Sequence, residues 1–174
     1  MQRKGIEREA RKLLEANAIT RAPVPVEDLA MALRIDVRYS EGSEDVSGAL
    51  IRDGASVVIA VNSAQHENRQ RFTIAHELGH YLLHKVKLHF DEDFRIDYRD
   101  TTSSDATKRE EVEANGFAAA LLMPELFLRR DWLRAQPDDA AIPGAIRSLA
   151  MKYKVSPKAM ELRLVNLSFI SPVE

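Results

Sequence analysis

A chain of 174 residues, 45% hydrophobic and 30% charged, has the material for one domain with a real core and at most a small appendage. Its formal net charge of -2, from 25 basic and 27 acidic residues, argues against direct nucleic-acid binding, which needs a basic surface to release counterions. There is no cysteine, so disulfides and thiolate metal sites are excluded and any zinc must be held by imidazole and carboxylate.

The start, MQRKGIERE, is charged, and no apolar region follows it. No apolar run approaches the roughly 18 residues a membrane span needs, so a cytoplasmic protein without membrane contact is expected. Residues 3–17 read as an amphipathic helix with Ile6, Ala10, Leu13 and Leu14 on one side. APVPV (22–26) breaks it, VEDLAMALRI predicts a second helix, and RIDVRYS a strand. GSEDVSG reads as a loop. ALIRDGASVVIAVNS then carries two β-branched runs around Asp53-Gly54, a hairpin signal. The strand VVIAV (57–61) is either a buried core strand or an edge on which extended substrate could add.

A helix is predicted over about residues 68–84, with Phe72, Ala75, Leu78, Leu82 and Leu83 near helical spacing. Residues 86–104 are polar, acidic and irregular, with Phe90, Phe94 and Tyr98 as the aromatics, which suggests a functional loop or disorder. Ser104 or Asp105 caps a helix that Pro124 closes, and PELFLRRDWLRAQ forms another short helix. After the loop QPDDAAIPG, residues 145–167 read as helix, turn, helix, with Ser156 as N-cap and Pro157 in the first helical position. The expected class is α+β, a small, mostly antiparallel sheet packed against several helices, with a C-terminal helical pair. The expected division is a domain over residues 1–135 and a helical tail over 136–174 packed on it.

The chemistry concentrates in RFTIAHELGHYLLH, residues 71–84, which contains His76, Glu77 and His80 in the order H-E-x-x-H. Residues four apart share a helix face, so both imidazoles can reach one ion. All five histidines fall between His66 and His89, and a chance match to this pattern is on the order of one per cent. Glu77 is placed to take a proton from a water whose pKa a metal lowers toward about 7. Gly79, between the histidines, admits a second backbone at close range. The bland alternative is an apolar helix carrying two histidines.

Such a site lacks a third ligand. The position six residues after His80 is Val86, which rules out the three-histidine metzincin pattern. His84 sits on the same straight helix and cannot converge with the other two, and His66 and His89 are weaker still. A carboxylate from another helix remains. REEVEANGFAAALLMP (109–124) offers Glu110, Glu111 and Glu113, with a buried face marked by Ala114, Phe117, Ala118, Leu121 and Leu122. Glu111 projects along that face and is the preferred ligand, with Glu113 as runner-up. For all three glutamates the competing reading is a solvated helix start favoured by the dipole. Asn115 shares the side of Glu111 and could support a ligating histidine. Tyr98 and Tyr81 are candidate donors to an oxyanion, against the commoner role of packing.

RFTIAHELGHYLLH followed by EEVEANGFAAALLMP resembles the ImmA/IrrE family of metallopeptidases, and the resemblance covers most of the chain. It implies a zincin-like core and a zinc-dependent endopeptidase in which His76, His80 and Glu111 match the ligands and Glu77 the general base. Manganese in vivo is the alternative ion. It further implies a helix-turn-helix repressor as substrate, and a role in stress response, mobile-element transfer or a toxin–antitoxin-like locus. Asn115 stands where the wider thermolysin-like group has Asp. Two rival readings rest on the tail. SLAMKYKVSPKAMELRL, with Lys152, Lys154, Lys158 and Arg163, has a DNA-binding look, although Glu161 interrupts it. The other is a metal-bearing sensor with little or no proteolysis.

Overall fold

A computed structural model describes residues 1–42, 46–54, 56–84, 88–92, 104–135 and 137–171. Helix α1 (Arg3–Ala16) buries Ile6, Ala10, Leu13 and Leu14, the stripe its spacing predicts. Helix α2 (Val26–Ala32) follows Pro25, and the Ala22–Pro23 peptide is cis. Strands β1 (Asp36–Ser40), β2 (Val46–Asp53), β3 (Ser56–Asn62) and β4 (Leu88–Glu92) form a sheet in the order β1-β3-β2-β4. β2 and β3 pair antiparallel through the hairpin, where Gly54 takes the left-handed φ of 57° that the turn requires. β4 also pairs antiparallel with β2, whereas β1 runs parallel to β3. Together with seven helices among the described residues, this is an α+β fold.

Two expectations change here. VVIAV belongs to β3, which lies between β1 and β2, so both of its edges are already paired and no substrate strand can add to it. Residues 88–92, expected within an irregular stretch, form strand β4. LHFDE is short and half polar, and its strand character comes from pairing with β2 rather than from its own pattern. Residues 86–87 and 93–103 of that expected loop, Tyr98 included, lie outside the described residues, and its last residue, Ser104, begins a helix.

Helix α3 (Glu67–Leu83) is laid between the sheet and helix α4 (Ser104–Leu122), and residues 73–80 are all buried as a result. Leu50, Ile59 and Val61 from the sheet, Ile74 and Leu78 from α3, and Phe117 and Leu121 from α4 share one core. A helix covered on both sides cannot show a clean amphipathic stripe, and this one carries polar residues inside.

Pro124 breaks the chain into α5 (Glu125–Ala135). A 3₁₀ turn, Asp139–Ala141, follows and is capped by the Asp138 carboxylate accepting from the Ala141 N–H at 2.8 Å. Helix α6 (Ile142–Tyr153) begins inside the expected loop, with Pro143 in its first turn, where a missing N–H costs nothing. Ser156 caps α7 (Pro157–Asn166) by accepting from the Ala159 N–H at 3.1 Å. Arg163 of α7 donates to the Met123 carbonyl at 3.0 Å and to the Glu7 carboxylate at 2.9 Å, which ties α7 to α1 and to the end of α4.

A buried polar contact joins α5 to α6. The Tyr153 hydroxyl donates to Asp131 at 2.7 Å, and Lys152 pairs with the same carboxylate at 2.8 Å. Burial pushes the Asp131 carboxyl up, but the bonds from Lys152 and Tyr153 and the nearby positive charges outweigh it, and the net shift is downward. A carboxyl lowered in the folded state stabilises above its unfolded pKa of about 3.9, and that stability is lost as pH falls through the lowered value. Asp131→Asn is therefore expected to cost roughly 1–3 kcal/mol at neutral pH, with the difference from wild type shrinking below about pH 4. Denaturant melts at the two pH values check this; a gap that persists in acid means that ionisation of Asp131 does not carry the effect.

Candidate metal centre

The site begins with the close approach of α3 and α4. A Cβ built on Gly79 would lie 3.1 Å from the Ala114 Cα and 3.2 Å from both the Ala114 carbonyl oxygen and the Phe117 Cβ. Only glycine lets the helices meet at this distance without one of them shifting. Ala114 contributes the matching small surface on α4. This contact sets Glu111 and Asn115, one turn apart on α4, opposite His76 and His80, one turn apart on α3.

The His76 and His80 Nε2 atoms face each other at 3.0 Å. The Glu111 carboxylate completes a triangle, with Oε2 3.4 Å from His76 Nε2 and Oε1 3.2 Å from His80 Nε2. Both imidazoles are buried, and the Glu111 side chain is 16% exposed. Among the described residues, these three form the one group of histidine and acidic side chains whose ligand atoms lie within 4.8 Å of one another. Ligands at about 2.0–2.2 Å from a tetrahedral ion stand roughly 3.3–3.6 Å apart, so the three distances fit one ion to within a few tenths of an ångström. The chemistry fits as well: two ring nitrogens at this range must either share a proton or turn both lone pairs on a cation, and imidazole nitrogen with carboxylate oxygen is a donor set that zinc accepts.

Asn115 braces the first histidine, its Oδ1 lying 3.0 Å from His76 Nδ1. A carbonyl oxygen there selects the tautomer with the proton on Nδ1 and directs the Nε2 lone pair toward the other two donors. Glu77, next to His76, is fully buried. Glu113, the alternative ligand, points elsewhere: its carboxylate takes the Arg109 Nε–H at 3.0 Å and pairs with the N-terminal amine. The i,i+4 spacing of Arg109 and Glu113 was the sequence signal for that pairing.

Residues 30–165 match the IrrE N-terminal-like domain, a peptidase family, and this span contains both helices of the site. The chain belongs to that family. A curated relative, the radiation response metalloprotease IrrE of Deinococcus radiodurans, is 42% identical over 110 residues. The alignment covers 60% of this chain and 31% of that protein, so the chain spans under a third of its relative's length.

In this family member His84 and His66 have other duties. His84 ends α3, where its Nε2 lies 3.2 Å from the Glu110 carbonyl oxygen, a second bridge between the two helices. Burial pulls its pKa below the usual histidine value. His66 caps the start of α3, its Nδ1 accepting from the Asn68 N–H at 3.1 Å. His89 lies on β4. The Tyr81 ring sits 4.6 Å beneath the Arg52 guanidinium, which also donates to the Tyr81 carbonyl at 2.9 Å. A residue the spacing argument did not connect to the site is Phe72, whose ring centroid lies 6.2 Å from that of His76. Its position one turn before His76 was the available clue. No helix among the described residues is long and apolar enough to cross a membrane.

Proposed function

We propose that the chain is a zinc-dependent endopeptidase that holds its ion with His76, His80 and Glu111 and uses Glu77 as general base. The observation that carries this reading is the convergence of three donors beside a buried glutamate. Two nitrogens and one carboxylate suit zinc better than the harder divalent ions, with manganese as the alternative in vivo. Zinc held there supplies Lewis acidity to a water and to the scissile carbonyl.

The side chains supply the rest. Asn115 keeps the His76 ring in one orientation and one tautomer. Glu77 takes the proton from the attacking water at its carboxylate and passes it to the departing amine nitrogen as the peptide C–N bond breaks. Burial of Glu77 keeps bulk water from competing for that proton. Among the described residues, β1 and β4 are the outer strands of the sheet, and an extended substrate could add there.

The proposed substrate is a helix-turn-helix transcriptional repressor, cleaved to release its genes in a stress response, a mobile element or a toxin–antitoxin-like locus. The family resemblance supports the repressor, and the relative's being a radiation response metalloprotease supports the stress role. DNA binding by the tail is less well supported, because the four cations of SLAMKYKVSPKAMELRL already have carboxylate partners. Lys152 pairs with Asp131 at 2.8 Å, Lys154 with Glu67 at 2.9 Å, Lys158 with Glu161 at 3.1 Å, and Arg163 with Glu7 at 2.9 Å. A sensor that lacked proteolysis would have no use for Glu77.

The test incubates the zinc-loaded protein with the helix-turn-helix repressor encoded beside its gene and reads the products by mass spectrometry. One defined cut is expected, abolished by chelator and restored by added zinc. An intact repressor, or a cut that chelator does not touch, would sink the proposal.

A further inference from the structure

Beside the metal centre, α1 and the outer surfaces of α4, α5 and α7 enclose two hollows of about 590 and 410 Å³. Arg3, Glu7 and Asn166 line both, so the two form a single trough. One end reaches Asn115 and Phe72, the residues that touch and flank His76. The other ends at Pro124, Leu126 and Phe127, where α4 turns into α5. Its apolar surface is partly open to water: Leu162 at one end is 51% exposed, and Leu126 at the other is 62% exposed. Exposed leucines gathered in a concave surface mark a place where another molecule sits.

The charge of the trough indicates what kind of molecule. The larger hollow is lined by the cations Arg3, Lys4, Arg8 and Arg11 from α1, and by the carboxylates Glu7, Glu15 and Glu125. Each carboxylate is already engaged: Glu7 by Arg163 at 2.9 Å, Glu15 by Arg11 at 3.7 Å, and Glu125 by Arg129 at 2.7 Å. Arg8 faces Glu9 at 3.6 Å. Arg3 and Lys4 have no carboxylate partner among the described residues. An apolar floor under uncompensated positive charge complements a segment that is apolar on one face and acidic on the other.

We propose that this trough is a docking site for an acidic, amphipathic segment of the protein substrate, separate from the bond that is cut. Apolar side chains of the segment pack on Leu126 and Leu162, and its carboxylates face Arg3 and Lys4. The substrate half of this proposal rests on the peptidase reading; the docking half rests on the trough alone. A site at this position selects the substrate by a feature remote from the scissile bond, and its energy appears in binding rather than in the chemical step.

The test uses the full chain, zinc-loaded and carrying Glu77→Gln so that nothing is cut. Two labelled helical peptides are titrated by fluorescence anisotropy, with leucine at helical spacing and either glutamate or lysine elsewhere. Saturable binding of the glutamate peptide alone is expected. Arg3→Glu with Lys4→Glu should weaken it at least about tenfold, and Leu126→Asp should weaken it independently. All three side chains are exposed, and unchanged thermal melts will show that the variants fold. Equal binding of the two peptides, no saturation up to about 1 mM, or indifference to the charge reversal would overturn the proposal. So would self-association of the chain that the same charge reversal abolishes, which would assign the trough to a second copy. In turnover of the repressor, the double variant on an active background should raise KM and leave kcat in place. If the peptidase reading fails instead, the wild type cuts nothing while peptide binding persists.

Discussion

Glu77→Gln is expected to bind zinc like the wild type and to lose about 10²- to 10⁴-fold in kcat, the usual worth of a positioned general base. The substitution keeps the volume and shape of a side chain that is fully buried, so packing between α3 and its neighbours is preserved. What it removes is a basic oxygen: an amide cannot take the proton from water or carry it to the leaving amine. The three converging donors, His76, His80 and Glu111, are untouched, so metal content measured on purified protein should match wild type. The contrast between retained metal and lost turnover separates this role from a structural one, which would lower both. Proteolysis at the wild-type rate by Glu77→Gln would remove Glu77 from the mechanism, and loss of zinc would make it part of the ion's support.

The two imidazoles were readable because helix geometry alone puts residues four apart on one face, whatever surrounds the helix. Glu111 was readable in a weaker way. Its place followed from the row of small and apolar residues on α4, all of which are buried, but choosing it over Glu113 needed the partner of Glu113. The two helices meet at Gly79 and Ala114, and a glycine between two histidines announces a close approach without saying what approaches. Strand β4 was not readable, because its ladder partner is β2, far away in sequence, and LHFDE carries little strand preference of its own. The parallel pairing of β1 with β3 escaped for a similar reason. A hairpin fixes its own register locally, whereas the strand beside it is chosen by the core. That choice closed the edge of β3 and moved any substrate-strand contact to β1 or β4.

The strongest discrimination lies on α4, where Glu111, Glu113 and Asn115 differ by two residues at a step and have different surroundings. Glu111→Ala is expected to lower zinc affinity by more than about 100-fold, beyond the 10–100-fold typical of a residue that only supports a ligand. Its carboxylate lies 3.4 and 3.2 Å from the two imidazole nitrogens, and no other described acidic side chain joins that group. Asn115→Ala should fall in the supporting range, because it removes the oxygen that orients His76 but leaves the three donors. Glu113→Ala should change zinc affinity by no more than a few-fold, since its carboxylate is directed to Arg109. Competition titration against a chromophoric chelator gives all three values on one scale. The order Glu111, Asn115, Glu113 is the signature of a two-helix site completed by Glu111. If Glu113→Ala loses the ion and Glu111→Ala keeps it, α4 must turn by half a revolution on binding metal, and the contact at Gly79 would not survive that turn.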